Sequence, residues 1–251
     1  MILFCNGDSW TQGDSPAQTV NWDSSEYLDW YSIPSSFGMY HVASTSQQYK
    51  FYDSEVWPKT LGRLLKFNTV NAGRLGDDNP GIVQRSIYLL EKYLAMTTPN
   101  ELFVVIGWSS CLREPIFEFD SKNKIKLSQV RPTNYREDTL PTPMMYDDKF
   151  ALSIYTLQSY LENKKIKFLF FNAFDTFDYE NSRFKTLIKP EYWLNKDPKE
   201  NHFFNYLKSK YNISHIGEES ENMIQGHPTD KAHAEWGQYL EKYIRKNYEF
   251  N

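Results

Sequence analysis

A three-layer α/β/α sandwich around a parallel sheet is the fold that these 251 residues predict, as one domain over 1–251 with long insertions after the first and third strands. Three observations carry the prediction. Short apolar runs alternate with longer stretches of helical periodicity, and that alternation places helices on both faces of a parallel sheet. The runs are continuously apolar, as expected of strands buried on both faces. Small polar clusters follow directly on several runs, at the carboxyl ends where parallel sheets bind their ligands.

The elements follow in order. "MILFCN" (1–6) reads as the first strand, and a helix starts at Trp57 in "WPKTLGRLLK". "FNTVNA" (67–72) is a second strand, followed by a helix from Asn79, and "ELFVVIG" (101–107) is the third. A helix from Asp147 leads into "IKFLFFNAF" (166–174), and another starts at Glu200 in "ENHFFNYLKSK". "YNISHI" (211–216) is a weaker strand signal. In the final helix, Ala232, Trp236, Tyr239, Leu240 and Tyr243 recur at helical spacing behind Thr229, an N-cap candidate. Three long polar and aromatic segments, about 14–55, 112–146 and 175–198, interrupt the alternation. Loops of that length in a compact domain are usually functional or disordered.

Composition excludes several classes of function. A net charge of −4 with 40% hydrophobic residues describes a globular chain and offers no basic footprint for nucleic acid. No signal-like N-terminus and no 18-residue apolar run is present, so the expectation is a cytoplasmic protein that does not span a membrane. Cys5 and Cys111 read as buried free thiols. His41, His202, His215, His227 and His233 have no metal-ligand spacing, and no phosphate- or dinucleotide-binding glycine motif occurs. No metal or organic cofactor is expected. Asp77-Asp78 and Asp147-Asp148 read as solvated or N-capping acids. Arg113-Glu114 reads as a surface ion pair, or as a contact to an anionic substrate.

Four clusters would meet at one edge of a parallel sheet: Gly7-Asp8-Ser9, "NAGRLGDDN" (71–79), "IGWSS" (106–110) and "QGHPTDKAHAEWG" (225–237). A serine hydroxyl is a weak nucleophile until a neighbouring base takes its proton. Taken alone, Ser9 reads as a turn residue, and Thr11 stands where a nucleophile elbow would have its second glycine. A histidine at the same sheet edge gives it a base.

In this order the four clusters resemble the blocks of the SGNH hydrolases, the GDSL esterases and lipases. The resemblance runs through the whole chain, with 14–55 as an insertion after the first block. It implies Ser9 as the nucleophile, and an oxyanion hole formed by the N–H of Ser9, the N–H of Gly76 and the third-block side chain. Gly73 is the alternative register for the glycine. Where the family carries Gly-x-Asn-Asp, this chain reads Gly107-Trp108-Ser109-Ser110, which puts the Ser109 hydroxyl in place of an amide. The family's Asp-x-x-His-Pro is split. His227-Pro228 supplies the base, with Pro228 suited to opening a helix, but Ile224 stands three residues before it. Asp230 and His233 form a literal Asp-x-x-His and are the alternative pair. With His227 as base, its orienting acceptor is Glu218, Glu219, Glu221 or a backbone carbonyl.

The activity implied is hydrolysis of a short acyl ester, with O-acetyl on a carbohydrate as the expected substrate. Trp22, Trp30, Tyr31, Tyr40 and Tyr49, among polar residues of 14–55, suit sugar rings, and equally a lid that packs on its own domain. Two other readings stay open: a catalytically silent module that binds glycan or protein, and an acyltransferase using the same acyl-enzyme.

Overall fold

The computed structural model describes residues 1–13, 55–74, 77–119, 125–130, 143–173, 180, 182–216, 218, 220, 222–224 and 226–250. Strands β1 (Ile2–Gly7), β2 (Asn68–Asn71), β3 (Leu102–Trp108) and β6 (Lys167–Asn172) form one parallel sheet in the order β2-β1-β3-β6. The register pairs Gly7 with Gly107, and Trp108 with Asn172, so the carboxyl ends of three strands lie level along one edge.

Alternate strand residues feed two cores, as the period of two requires. Leu3, Cys5, Phe103, Val105, Leu169 and Phe171 pack against helices α2 (Trp57–Leu65), α5 (His202–Tyr211) and α6 (Asp230–Asn247). Phe4, Val104, Ile106, Phe168 and Phe170 pack against α3 (Asn79–Leu94) and α4 (Pro143–Asn163). Fully burying one such side chain contributes about 1.5–3 kcal/mol. Much of the aromatic content belongs here: Trp57, Trp108, Trp193 and Trp236 have no exposed surface. Phe171 meets Trp57 and Trp236 edge-on, at 5.4 and 5.3 Å between centroids. No described helix is long and apolar enough to cross a membrane.

Two expectations are corrected. Residues 211–216 form no strand: α5 ends at Asn212 in the left-handed conformation, and the Ser214 N–H donates to the Glu218 carboxylate at 2.6 Å. A backbone donor taken by a side chain is lost to a ladder, and Ile213 plugs the core without pairing. Within 112–146, strands β4 (Glu114–Phe119) and β5 (Ile125–Val130) form an antiparallel ribbon in place of a structureless loop. In 175–198, short 3₁₀ turns bring Trp193 alongside Phe170 on the outer edge of β6. Insertion 14–55 lies outside the described residues apart from Glu55.

Candidate active site

β1 ends on Gly7, and Asp8 caps the single-turn helix α1 (Ser9–Gln12), its Oδ1 accepting the Trp10 N–H at 3.0 Å. The turn sits close on the sheet because two glycines face it. A Cβ on Gly7 would lie 2.2 Å from Thr11 Oγ1 and 2.5 Å from the Gly107 carbonyl oxygen, and one on Gly107 would lie 3.0 Å from Thr11 Oγ1. Gly13, at φ 91°, ends the turn by donating to the Ser9 carbonyl. Ser9 is thereby buried at a helix start. As the first residue of α1 it has no carbonyl one turn back to take its N–H.

The opposing side chain comes from the far end of the chain. Strands β7 (Met223–Ile224) and β8 (His227–Pro228) form a minimal hairpin whose turn uses Gly226 at φ 77°. The Trp10 indole donates to the Gly226 carbonyl at 3.1 Å, tying α1 to this hairpin. His227 Nε2 then lies 2.9 Å from Ser9 Oγ. With the imidazole neutral, the hydroxyl donates and Nε2 accepts, the arrangement general-base activation requires.

Asp8 Oδ2 accepts the Ser109 hydroxyl at 2.9 Å and Arg113 Nη1 at 3.1 Å. Burial raises the Asp8 pKa, and the Arg113 guanidinium is the largest influence opposing it. Arg113 therefore makes a half-buried ion pair with Asp8 at the sheet edge, where the sequence suggested a surface pair. It also donates to the Asp77 carbonyl at 3.3 Å. Asn79 clamps the second cluster to the third: its Oδ1 takes the Ser109 N–H at 2.9 Å, and its Nδ2 reaches the Ser109 and Ser110 carbonyls at 3.1 and 3.2 Å.

The remaining candidates fall as follows. Gly76 lies outside the described residues. The Gly73 N–H donates to Asn71 Oδ1 at 3.0 Å, so it is already committed. His233 is fully buried in α6, edge-on to Phe203 at 5.7 Å, and neither ring nitrogen has a hydrogen-bond partner among the described residues. Burial, with His227 nearby, pushes its pKa down to about 3. Asp230 is the exposed first residue of α6, and its carboxylate takes a backbone hydrogen bond from Glu55. The Glu218 carboxylate is held by the N–H and hydroxyl of Ser214, and Glu219 and Glu221 lie outside the described residues.

Asp78 caps α3 as expected, accepting the Gly81 N–H at 2.6 Å. Asp77 is neither solvated nor a cap; it is buried and pairs with Arg85 at 2.6 Å. Asp147 and Asp148 lie inside α4, and buried Asp148 pairs with Arg183. Among the described residues no three His, Cys, Asp or Glu side chains converge to hold a metal ion. Sequence reasoning missed Asn79 and the pairing of Asp8 with Ser109. All three residues stand inside the clusters quoted from the sequence, and that membership was their signal.

The fold and site define a parallel α/β protein with a serine–histidine pair at the carboxyl edge of its sheet. The chain belongs to the family described as a family of unknown function (DUF6071), which matches residues 42–187. Ser9 and His227 lie on either side of that segment. No curated protein matches the chain. Among solved structures it is similar to a protein described as lipolytic, of the G-D-S-L family, from Desulfitobacterium hafniense DCB-2. The identity there is 11%, over 96% of this chain and 98% of that one, with a TM-score of 0.42. It is also similar to the psychrotrophic esterase EstA from Pseudoalteromonas sp., at 14% identity over 98% and 97%, with a TM-score of 0.44. A third is a member of the lipolytic G-D-S-L family from Veillonella parvula DSM 2008, at 12% identity over 98% and 97%, with a TM-score of 0.39.

Proposed function

We propose that the protein is a serine esterase acting on a short acyl ester, with O-acetyl on a carbohydrate as the substrate class. The observation that carries this reading is the 2.9 Å contact between Ser9 Oγ and His227 Nε2. Ser9 Oγ attacks the ester carbonyl while His227 Nε2 takes its proton. The tetrahedral intermediate collapses, the C–O bond to the alcohol breaks, and His227 returns the proton to the leaving oxygen. Water, deprotonated by the same nitrogen, then adds to the acyl carbon; the bond to Ser9 Oγ breaks, the acid leaves, and His227 returns the proton to Oγ. The oxyanion is held by the N–H of Ser9 and of Gly76, with the Ser109 hydroxyl as third donor. His227 is the base in preference to the Asp230–His233 pair, because its Nε2 meets Ser9 Oγ while neither His233 ring nitrogen has a hydrogen-bond partner among the described residues. The carbohydrate assignment rests on the aromatic and polar sequence of 14–55.

A second reading, a silent binding module, is favoured by one observation: the single Ser109 proton is directed at Asp8. One experiment separates the two. A fluorophosphonate probe should label Ser9 in the wild type, and Ser9→Ala should lower kcat/KM for p-nitrophenyl acetate by several orders of magnitude. Unfolding free energy should stay within about 1 kcal/mol. A folded wild type that neither labels nor turns over the ester is the silent module.

A further inference from the structure

Away from Ser9, the 3₁₀ turn Leu194–Lys196 and the outer faces of α5 and α6 enclose a cleft of about 590 Å³. That volume lies within the roughly 300–1,000 Å³ of sites that hold small ligands. Tyr206 and Tyr239 line it, and behind Tyr239 a stack of rings runs into the core: Trp236 on Tyr239 at 5.2 Å and 14°, then Phe203 on Trp236 at 4.7 Å and 7°. Tyr239 ends the stack, and Tyr206 leans against it at 5.4 Å. Around these rings stand hydrogen-bonding groups already held in place. Asn195 Nδ2 donates to the Tyr239 hydroxyl at 3.3 Å, and Asn205 Nδ2 donates to Glu200 Oε1 at 3.0 Å. The buried Trp236 indole N–H has no acceptor among the described residues.

The backbone at the rim is also unusual. Asn195 and Lys196 are successive non-glycine residues in the left-handed region, at φ 55° and 59°. Such a conformation costs on the order of 1 kcal/mol per residue and clusters where side chains are held to clamp a ligand. The lining holds one carboxylate, Glu200, and one ammonium, Lys208, so it selects neither sign of charge, and its amides disfavour a wholly apolar ligand. Flat ring faces beside amide and carboxylate groups suit a neutral polyol ring, whose C–H face packs on the aromatic while its hydroxyls meet both donors and acceptors.

We propose that this cleft is a carbohydrate-binding subsite that seats a neutral pyranose ring on Tyr239 and reads its hydroxyls with Asn195, Asn205 and Glu200. It is separate from the Ser9–His227 pair, so its readout is binding, not hydrolysis. Titration calorimetry of the intact protein with xylohexaose, cellohexaose and chitohexaose tests it. At least one should bind saturably, and Tyr239→Ala should weaken that binding about tenfold, the equivalent of about 1.4 kcal/mol. Tyr239→Phe, which keeps the ring, should stay close to wild type. Asn205→Ala should also weaken binding, which covers the case of a Tyr239→Ala protein that does not fold. Absence of saturable binding for all three glycans, or binding that Tyr239→Ala and Asn205→Ala leave unchanged, overturns the proposal and leaves the esterase reading untouched.

Discussion

Ser109 has one hydroxyl proton, and the structure directs it to Asp8 Oδ2 at 2.9 Å. To meet a developing oxyanion, the hydroxyl must turn away from a buried carboxylate whose other partner on that oxygen is Arg113. An asparagine amide offers two N–H donors in one plane. One could keep the bond to Asp8 while the other faces the reacting carbonyl. Ser109→Asn should therefore raise kcat for p-nitrophenyl acetate, by at most the ~10²–10³-fold that a single oxyanion donor is worth. Stopped-flow or steady-state kinetics would show it, and a variant no faster than wild type removes Ser109 from the oxyanion proposal. Ser9 and His227 were legible in the sequence because each sits in a short cluster at a predicted element boundary. The Asp8–Arg113 pair was not. It joins positions 105 apart through a bend after β3, and no local spacing encodes such a contact.

The helix α1 depends on two absent side chains. Gly7→Ala would put a methyl 2.5 Å from the Gly107 carbonyl oxygen, a backbone atom that cannot rotate aside. Overpacking of this kind costs about 1–3 kcal/mol. Urea unfolding should show a loss in that range. Ester turnover should fall beyond what the unfolded fraction explains, because Ser9 rides on the displaced turn. An unchanged midpoint would mean that α1 has room the structure does not show. The four sheet strands and five longer helices were legible to within a few residues because apolar continuity and helical spacing both report burial. Alternation of Ile125 and Leu127 with Lys126 and Ser128 was the available signal for the β4–β5 ribbon. Pro115 and the polar surroundings masked it. The 211–216 segment misled in the other direction, since Ile213 and Ile216 imitate a strand but serve as plugs beside the core.

For the whole molecule, His233 makes stability depend on pH. The unfolded imidazole binds a proton near 6.5, whereas the buried one binds it near 3. Between those values the unfolded state holds the extra proton, so stability falls as pH drops through the window, by up to about 1.4 kcal/mol per unit. Denaturant midpoints at pH 7, 5.5 and 4.5 should decline more steeply for wild type than for His233→Leu; parallel curves would contradict the buried neutral imidazole. Ser9 and His227, meanwhile, are 218 positions apart. β1 lies between β2 and β3, so it is flanked only after Trp108 has been made, and the hairpin bearing His227 comes later still. A growing chain thus carries Ser9 for 218 further positions before His227 is made. On the proposed mechanism the site stays idle in a partly built domain, and Ser9 gains its base only once the hairpin bearing His227 has folded back onto α1.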